Sequence, residues 1–499
     1  MINFILTLPE IYLILLICIL FFYNIIYASS KKYKFPLLNE NTINLILLAF
    51  IYLICIAYNQ PIFDAAILNS LFYKNTFSIT LEYFLFIIGF IFFILTKKYT
   101  IEHFNSYEIL LILVISFLGM VGMITSNHMF SMYLSLELQS ICFYILVATR
   151  SKNLQAIEAS LKYFILGSFS SAILLFGISY IYGYTGLVYF EDLAKFLMTY
   201  THIEYISAFT LGLLLLFIGL LFKIYAAPFH FWISDIYQGA SYNITMFFAI
   251  IPFISFFSVL VKLVYLVFYD YIFFIKDILL IVSIFSMLCG SIGALYQLQF
   301  KRLMAYSSIA HIGYFLTSLV TLDIQVLLYA VNYIFLYIIT ITIIFGIIIN
   351  IESKKFNTYK FNTYKYMNNL SDFYLFARYN KTLAFIFALS LFSLIGVPPL
   401  PGFLAKLFLL TALLNETAYM LIFVVIVASL ISAYYLLKII KYMYFGIYNY
   451  NLYFFKFIQP IPYINVISIV YITMLTLLCI LYPDFLIDIA SLMTISLFI

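Results

Sequence analysis

LFKIYAAPFHFWISDIYQG, residues 221–239, places a charge, a helix breaker and a long apolar run side by side. The apolar run leads into Lys223. Pro228 follows five residues later, then His230, the single tryptophan Trp232, and Asp235. An interior proline removes a backbone donor and clashes with the preceding turn, so a helix must break or kink here. A lysine at the middle of a membrane helix costs roughly 2.5–3.5 kcal/mol on insertion scales and is a functional candidate by default.

The surrounding chain makes that membrane setting the natural one. Of 499 residues, 66% are hydrophobic and 9% are charged, whereas a soluble domain carries about 25% charge. Mean hydropathy is +1.12. The net charge of +5 comes from few groups that sit between apolar runs, which argues against a nucleic-acid partner. Cys18, Cys55, Cys142, Cys289 and Cys479 lie in apolar runs without metal-ligand spacing. The run from Ile2 to Tyr27 lacks a basic leader and a small-residue cleavage site, and is read as a first span rather than a signal peptide.

About twenty apolar residues cross a bilayer. The expected fold is an all-α polytopic membrane protein with fourteen spans, at 3–28, 42–59, 78–96, 108–125, 129–149, 160–184, 205–227, 241–269, 274–296, 303–322, 325–350, 382–414, 418–446 and 462–482. Loops after odd-numbered spans, counted together with the adjoining span ends, hold 18 Lys and Arg, and those after even-numbered spans, counted the same way, hold 3, namely Lys74, Lys195 and Lys276. That asymmetry supports fourteen spans and puts both termini opposite the positive face. Spans 4–8 and 9–13 form two sets of five, and an odd-sized unit used twice in succession must be inverted. The expected divisions are an N-terminal three-helix segment (1–100), two repeats (101–270 and 271–450) and a C-terminal helix with its tail (451–499). The tandem FNTYK at 356–365 reads as an insertion in an exposed loop.

Charges inside spans are few. Glu137 sits at the centre of span 5, while Glu10, Glu82 and Glu108 lie near span ends, where a solvated or headgroup reading is better. Lys223 in span 7 and Lys406 in span 12 each adjoin a proline-broken helix; span 12 carries Pro398, Pro399 and Pro401. Broken, charge-bearing helices at corresponding places in two inverted halves point to a transport site. Lys162 is placed to snorkel as readily as to function, and Lys262 reads slightly better as a bland span residue. His230 and His311 are candidates to link the lysines. Desolvation lowers a lysine pKa by up to about 3–5 units and a nearby carboxylate raises it. A Glu137–Lys223 pair of changing separation would therefore take up and release a proton. No cysteine cluster, haem-ligand pair or glycine-rich nucleotide loop offers redox chemistry.

Five segments resemble one family: LELQSICFYILVATR, EASLKYFILGSFSSAILLFG, FKIYAAPFHFWISDIYQG, FKRLMAYSSIAHIGYFL and SLIGVPPLPGFLAKLFLL. They are similar to the antiporter-like membrane subunits of respiratory complex I, namely mitochondrial subunit 2 and bacterial subunit N, and more distantly to Mrp-type Na+/H+ antiporter subunits. The resemblance implies proton translocation by Glu137, Lys223 and Lys406, with Lys162, His311, Lys262 and His230 in supporting places. It implies no cofactor bound directly; NADH, FMN, iron–sulfur clusters and ubiquinone would belong to partner subunits. The implied partners are other membrane-arm subunits, neighbouring antiporter-like subunits among them, and bilayer lipid, cardiolipin included. The implied location is the mitochondrial inner membrane, with the basic loops in the matrix and both termini in the intermembrane space. One departure stands out: the family places a lysine early in span 8, where this chain has Phe253 in FFAIIPFISFF. A free-standing cation antiporter subunit remains an alternative, separated from the first reading by whether flavin- and iron–sulfur-bearing partners co-purify; a non-pumping structural spacer is another, favoured if charge-removing mutations change assembly but not activity per complex.

Overall fold

The structure is a computed structural model that describes residues 2–28, 37–61, 64–103, 107–150, 153–199, 206–351, 353–355, 363–365, 368–374, 376–445 and 461–497. The chain opens with α1 (Ile2–Leu6), α2 (Leu8–Ala28) and α3 (Leu37–Tyr58), followed by a hairpin of β1 (Ala65–Ile67) and β2 (Phe72–Lys74). Then come α4 (Thr76–His103), α5 (Glu108–Thr125), α6 (Met129–Ala148), α7 (Leu154–Thr185) and the short surface helix α8 (Phe190–Thr199). The expected seventh span is split into α9 (Ile206–Lys223) and α10 (Phe231–Gly239); α11 (Tyr242–Val261) follows and runs into a π-helical turn, Lys262–Val267. The second half contains α12 (Phe273–Leu295), α13 (Phe300–Thr321), α14 (Ile324–Asn350), a small hairpin of β3 (Ser353–Lys355) and β4 (Thr363–Lys365), and α15 (Phe376–Tyr379). The expected twelfth span is split into α16 (Lys381–Ile395) and α17 (Pro401–Asn415), and α18 (Tyr419–Phe445), α19 (Tyr463–Leu481) and α20 (Asp484–Ile495) complete the chain.

Among the described residues, 12 helices are long and apolar enough to cross a membrane, and the two split helices stand where the other two spans were expected. Of the FNTYK repeat, only Thr363–Lys365 is described, and it pairs with Ser353–Lys355; the rest lies outside the described residues.

Position in the bundle follows from polarity around each helix. A helix that is hydrophobic on every side belongs in an interior. Every residue of α11 is buried, and α14 is buried over nearly its whole length. These two helices pack against each other, and α4 packs against both. By contrast α2, α7, α18 and α19 present Leu, Ile, Phe and Tyr outward, including Phe22, Phe169, Phe423 and Ile467, as lipid-facing helices do.

The two expected sets of five make matching pairs. α5 packs on α6 as α12 packs on α13, and α7 packs on the split pair α9 and α10 as α14 packs on α16 and α17. Small residues permit the closest approaches. A Cβ on Gly177 in α7 would lie 2.5 Å from the backbone nitrogen of Leu216 and 2.8 Å from the carbonyl of Gly212, both in α9. Replacing Gly177 by Val should force α7 and α9 apart at a cost of about 1–3 kcal/mol. The expected outcome is a lower melting temperature of the detergent-solubilised protein without any change of charge; a wild-type melting temperature would contradict this packing account.

Candidate functional site: two broken helices and the buried axis between them

At the first break, Lys223 is the last residue of α9 and only 4% of its side chain is exposed. Its ammonium lies 3.9 Å from Glu137 Oε1 and donates to the Tyr144 hydroxyl at 3.3 Å. Glu137 projects from α6, and Ser140, one turn on, donates to its other oxygen at 3.3 Å. Oε1 itself has no hydrogen-bond partner among the described residues. The pair is therefore charge-matched but not locked into a short hydrogen bond. After Lys223 the backbone turns at Tyr225, whose φ of 55° lies in the left-handed region, and passes through a cis Ala227–Pro228 bond. Trp232 wedges this corner. Its ring is stacked between Tyr163 of α7, at 5.0 Å, and Phe222 of α9, at 5.6 Å. The single tryptophan thus fixes the angle at which the two half-helices meet.

The second break has another design. α16 ends at Gly396, with φ 87°, a conformation that favours glycine. A Cβ there would also press on the Lys406 stem at 3.1 Å. A helix end leaves carbonyls without partners. Lys406, on α17, reaches back across the break and donates to Leu394 O and Ile395 O, each at 2.8 Å. Its cation sits at the negative end of the α16 dipole. Lys223 therefore precedes its break and faces a carboxylate, whereas Lys406 follows its break and faces two carbonyls.

Between the lysines runs a buried polar seam. The side chains of Tyr225, Tyr237 and Tyr337 lie near Ser308 on α13, whose own hydroxyl donates to Ala305 O at 2.7 Å. His311, one turn further along α13, bonds through Nδ1 to the Tyr333 hydroxyl, and its ring lies 4.5 Å from that of Tyr337. His311 is within electrostatic range of Lys406, which itself lies 5.7 Å from the Tyr314 ring. His311, Tyr333, Tyr337 and Lys406 border a cavity of about 10 Å³, the lower limit for one water molecule. The hydroxyls of Tyr237, Tyr314 and Tyr337 are buried without a hydrogen-bond partner among the described residues, and such groups are the usual holders of internal water.

Phe253 sits beside this seam, its ring 6.4 Å from Tyr337 and 6.3 Å from Phe315. Lys262 does not stand in for a lysine there. Nine residues at about 100° each place it on the opposite side of α11, and its side-chain amine donates to Ile124 O and Ser126 O at the end of α5. Lys162 lies away from Glu137 and Lys223 at a partly exposed cluster, bonded to Glu158 at 2.6 Å and Asp235 at 2.8 Å, with Asp235 also held by Arg302 at 2.7 Å. His230 packs on Phe231 and Tyr306, and among the described residues no ion pair or hydrogen bond joins it to either lysine. Among the described residues no group of three His, Cys, Asp or Glu could hold a metal.

Two readings need correction. Glu82 is not a solvated or headgroup residue: it is fully buried and pairs with Lys74, with which the partly exposed Glu10 also pairs. Lys74 and Lys301, counted among the loop charges, are buried as well. Lys301 donates to Ala240 O, at the end of α10, and lies 3.9 Å from the Tyr242 ring. Position at a helix end suggested solvent, and only the folding-over of a neighbouring segment removed it.

An all-helical bundle with two interrupted helices, each bearing a buried lysine on one polar seam, defines an antiporter-type membrane subunit. A family model described as NADH:quinone oxidoreductase/Mrp antiporter matches residues 126–432. NADH-ubiquinone oxidoreductase chain 2 of Marchantia polymorpha is 35% identical over 452 residues, 89% of each chain. NADH-quinone oxidoreductase subunit N 1 of Rhizobium meliloti is 36% identical, covering 68% of this chain and 69% of that one. In solved structures, a chain of respiratory complex I from Thermus thermophilus superposes with a TM-score of 0.77 at 23% identity, covering 96% of this chain and 99% of that one. A chain of the Mrp complex from Dietzia also scores 0.77, at 18% identity, covering 100% and 97% respectively. The chain belongs to the subunit 2/subunit N family of NADH:quinone oxidoreductase.

The carbonyl trap at Lys406 has a measurable consequence. Lys406→Met leaves two buried carbonyls unpaired at a cost of about 1–3 kcal/mol. Amide hydrogen exchange across residues 396–403 should accelerate by roughly an order of magnitude; unchanged exchange would show that the lysine does not hold the break together.

Proposed function

We propose that the chain is a proton-translocating subunit of the membrane arm of NADH:quinone oxidoreductase in the mitochondrial inner membrane, with electron transfer carried out by partner subunits. Quinone reduction elsewhere in the complex would alter the distance between Glu137 and Lys223. The observation that carries this reading is the 3.9 Å pair itself: a buried ammonium facing a carboxylate oxygen with no hydrogen-bond partner. Two unit charges 4 Å apart attract by about 4 kcal/mol at an effective dielectric constant of 20, and doubling the separation halves that. A movement of a few ångströms therefore changes the proton affinity of Lys223 by about 2 kcal/mol, more than tenfold in its proton-binding equilibrium.

In this reading the proton left by Lys223 passes along the seam of Tyr225, Tyr237, Ser308, Tyr337 and His311 to Lys406. Hydroxyls and imidazole both donate and accept, so they can relay a proton without becoming stable charges. The seam supports transfer past Phe253 without a lysine there. The basic loops would face the matrix, in keeping with their excess of Lys and Arg.

Glu137→Ala and Lys223→Ala should each lower proton pumping and quinone reduction together while leaving assembly intact. Both activities are measured on reconstituted complex with a pH-sensitive dye and by NADH oxidation. Wild-type turnover and pumping in both variants would refute the role. Phe253→Lys supplies a charge beside Tyr337 and is expected to leave pumping at least half of wild type, since the seam already serves; a severalfold gain would show that the hydroxyl route limits the rate.

A further inference from the structure

Asp235 is the only carboxylate on either half of the first broken helix, and the proton route makes no use of it. Residues 224–230 separate α9 from α10, so no continuous helical ladder sets the angle between the two halves. Side-chain contacts must set it instead, and α10 meets α7 at three levels. At the end of α10, a Cβ on Gly239 would lie 2.6 Å from Ala159 Cβ and 2.7 Å from Gln155 O. One turn back, Asp235 Oδ2 lies 2.8 Å from the Lys162 ammonium. A further turn back, Trp232 stacks on Tyr163 at 5.0 Å.

Asp235 also reaches a third helix. Its other oxygen, Oδ1, accepts a hydrogen bond from Arg302 Nη2 of α13 at 2.7 Å. α13 belongs to the second set of five helices and carries Ser308 and His311. Each carboxylate oxygen is thus engaged by a cation from a different helix, and charge-assisted bonds on both oxygens fix the orientation of the group. Lys162 has a second carboxylate within reach, Glu158 Oε1 at 2.6 Å, one turn away on its own helix. Loss of charge at position 235 would leave Lys162 with Glu158 and release α10 from α7 at this level. With Gln155 and Gln238 these charged groups border a cavity of about 250 Å³, room for several water molecules. A lone ion pair in contact with water is a weak restraint, whereas a carboxylate held on both sides ties three helices together.

Two lines of contact run from Asp235 to Lys223. Along the first, Trp232 shares α10 with Asp235 and stacks at 5.6 Å on Phe222, the residue before Lys223. Along the second, Lys162 is followed by Tyr163, whose ring meets the Tyr144 ring at 4.7 Å. The Tyr144 hydroxyl accepts from Lys223 at 3.3 Å. α7 also bounds Tyr144 directly, since a Cβ on Gly167 would lie 2.8 Å from the ring carbons of that tyrosine. Both lines end at the ammonium that faces Glu137 at 3.9 Å.

We propose that Asp235 is the positioning residue of the first break: by bridging Lys162 and Arg302 it sets the place of α10 and, through Trp232 and Tyr144, the separation of Lys223 from Glu137. Trp232 holds the corner, and Asp235 holds the helix that carries Trp232. Because Arg302 belongs to α13, the bridge also ties the first lysine to the helix that bears Ser308 and His311. The inference rests on the reading of Glu137 and Lys223 as a proton site and names the residue that adjusts it.

Two measurements test it. The first is tryptophan fluorescence of the purified full chain in detergent, where all such emission comes from Trp232. Emission should move to longer wavelength, and quenching by acrylamide should increase, in Asp235→Asn and in Arg302→Gln, while Asp235→Glu keeps the wild-type spectrum. Wild-type emission in both Asp235→Asn and Arg302→Gln overturns the proposal. The second is a double-mutant cycle on quinone reduction by the assembled complex. Asp235→Asn should lower turnover about threefold in the wild-type background and less than about 1.5-fold in Glu137→Ala, because its effect passes through that pair; Asp235→Glu should restore it. Equal losses in the two backgrounds overturn the proposal, since Asp235 would then act on stability alone. If Asp235→Asn does not assemble, Arg302→Gln is taken through the same cycle and read in the same way. Wild-type turnover and pumping in Glu137→Ala would refute the proton site, and Trp232 emission would still decide whether Asp235 places α10.

Discussion

A buried ammonium and an interrupted helix need each other, and the architecture depends on that mutual requirement. Within a bilayer an unpaired carbonyl and an unpaired cation each cost several kcal/mol. At the second break the two costs offset one another directly, since Lys406 takes the carbonyls of Leu394 and Ile395. At the first break the compensation is divided. Trp232, stacked between Tyr163 and Phe222, holds the corner, and Glu137 with Tyr144 holds the lysine. The first arrangement leaves a carboxylate oxygen without a hydrogen bond and the second leaves no acceptor of Lys406 at a long distance. The first is the looser of the two and is the better place for a distance to change.

The bundle supports this by keeping two almost wholly buried helices in the middle. α11 and α14 lie in the interior, and α14 contributes Tyr333 and Tyr337 to the seam beside α13. The space left beside His311 is a cavity of only about 10 Å³. Tyrosine is abundant in this chain, with 47 copies, and abundance alone says nothing about placement. Around Ser308 and His311, however, several tyrosines cluster, and the Tyr333 hydroxyl bonds to His311. Such a seam carries no permanent charge and so avoids the desolvation cost that another buried lysine would add.

The same economy explains why the hairpin end of the bundle holds a compact charge cluster. Lys74, Glu82 and Glu10 come from three separate segments and meet in two ion pairs. Removing Lys74 would leave buried Glu82 without its counterpart, so the cluster also fastens the N-terminal helices to the rest of the chain.

Hydropathy and the positions of charged residues and proline by themselves determined the membrane class and the sites of both broken helices, and singled out Glu137, Lys223 and Lys406 as candidates. These properties are local: a long apolar run must be helical in lipid, and a proline beside a lysine must interrupt it. Partners were another matter. The sequence could not show that Lys262 faces away from Phe253 toward α5, that Lys162 joins Asp235 at a partly exposed surface, or that Lys74, Lys301 and Glu82 are shielded from water. Residues near helix ends look solvated when read along the chain. Whether water reaches them is settled by segments remote in sequence, such as Ala240 over Lys301 and Leu6 over Lys74. Burial of a charge is a property of the packed assembly, and only the tertiary structure decides it.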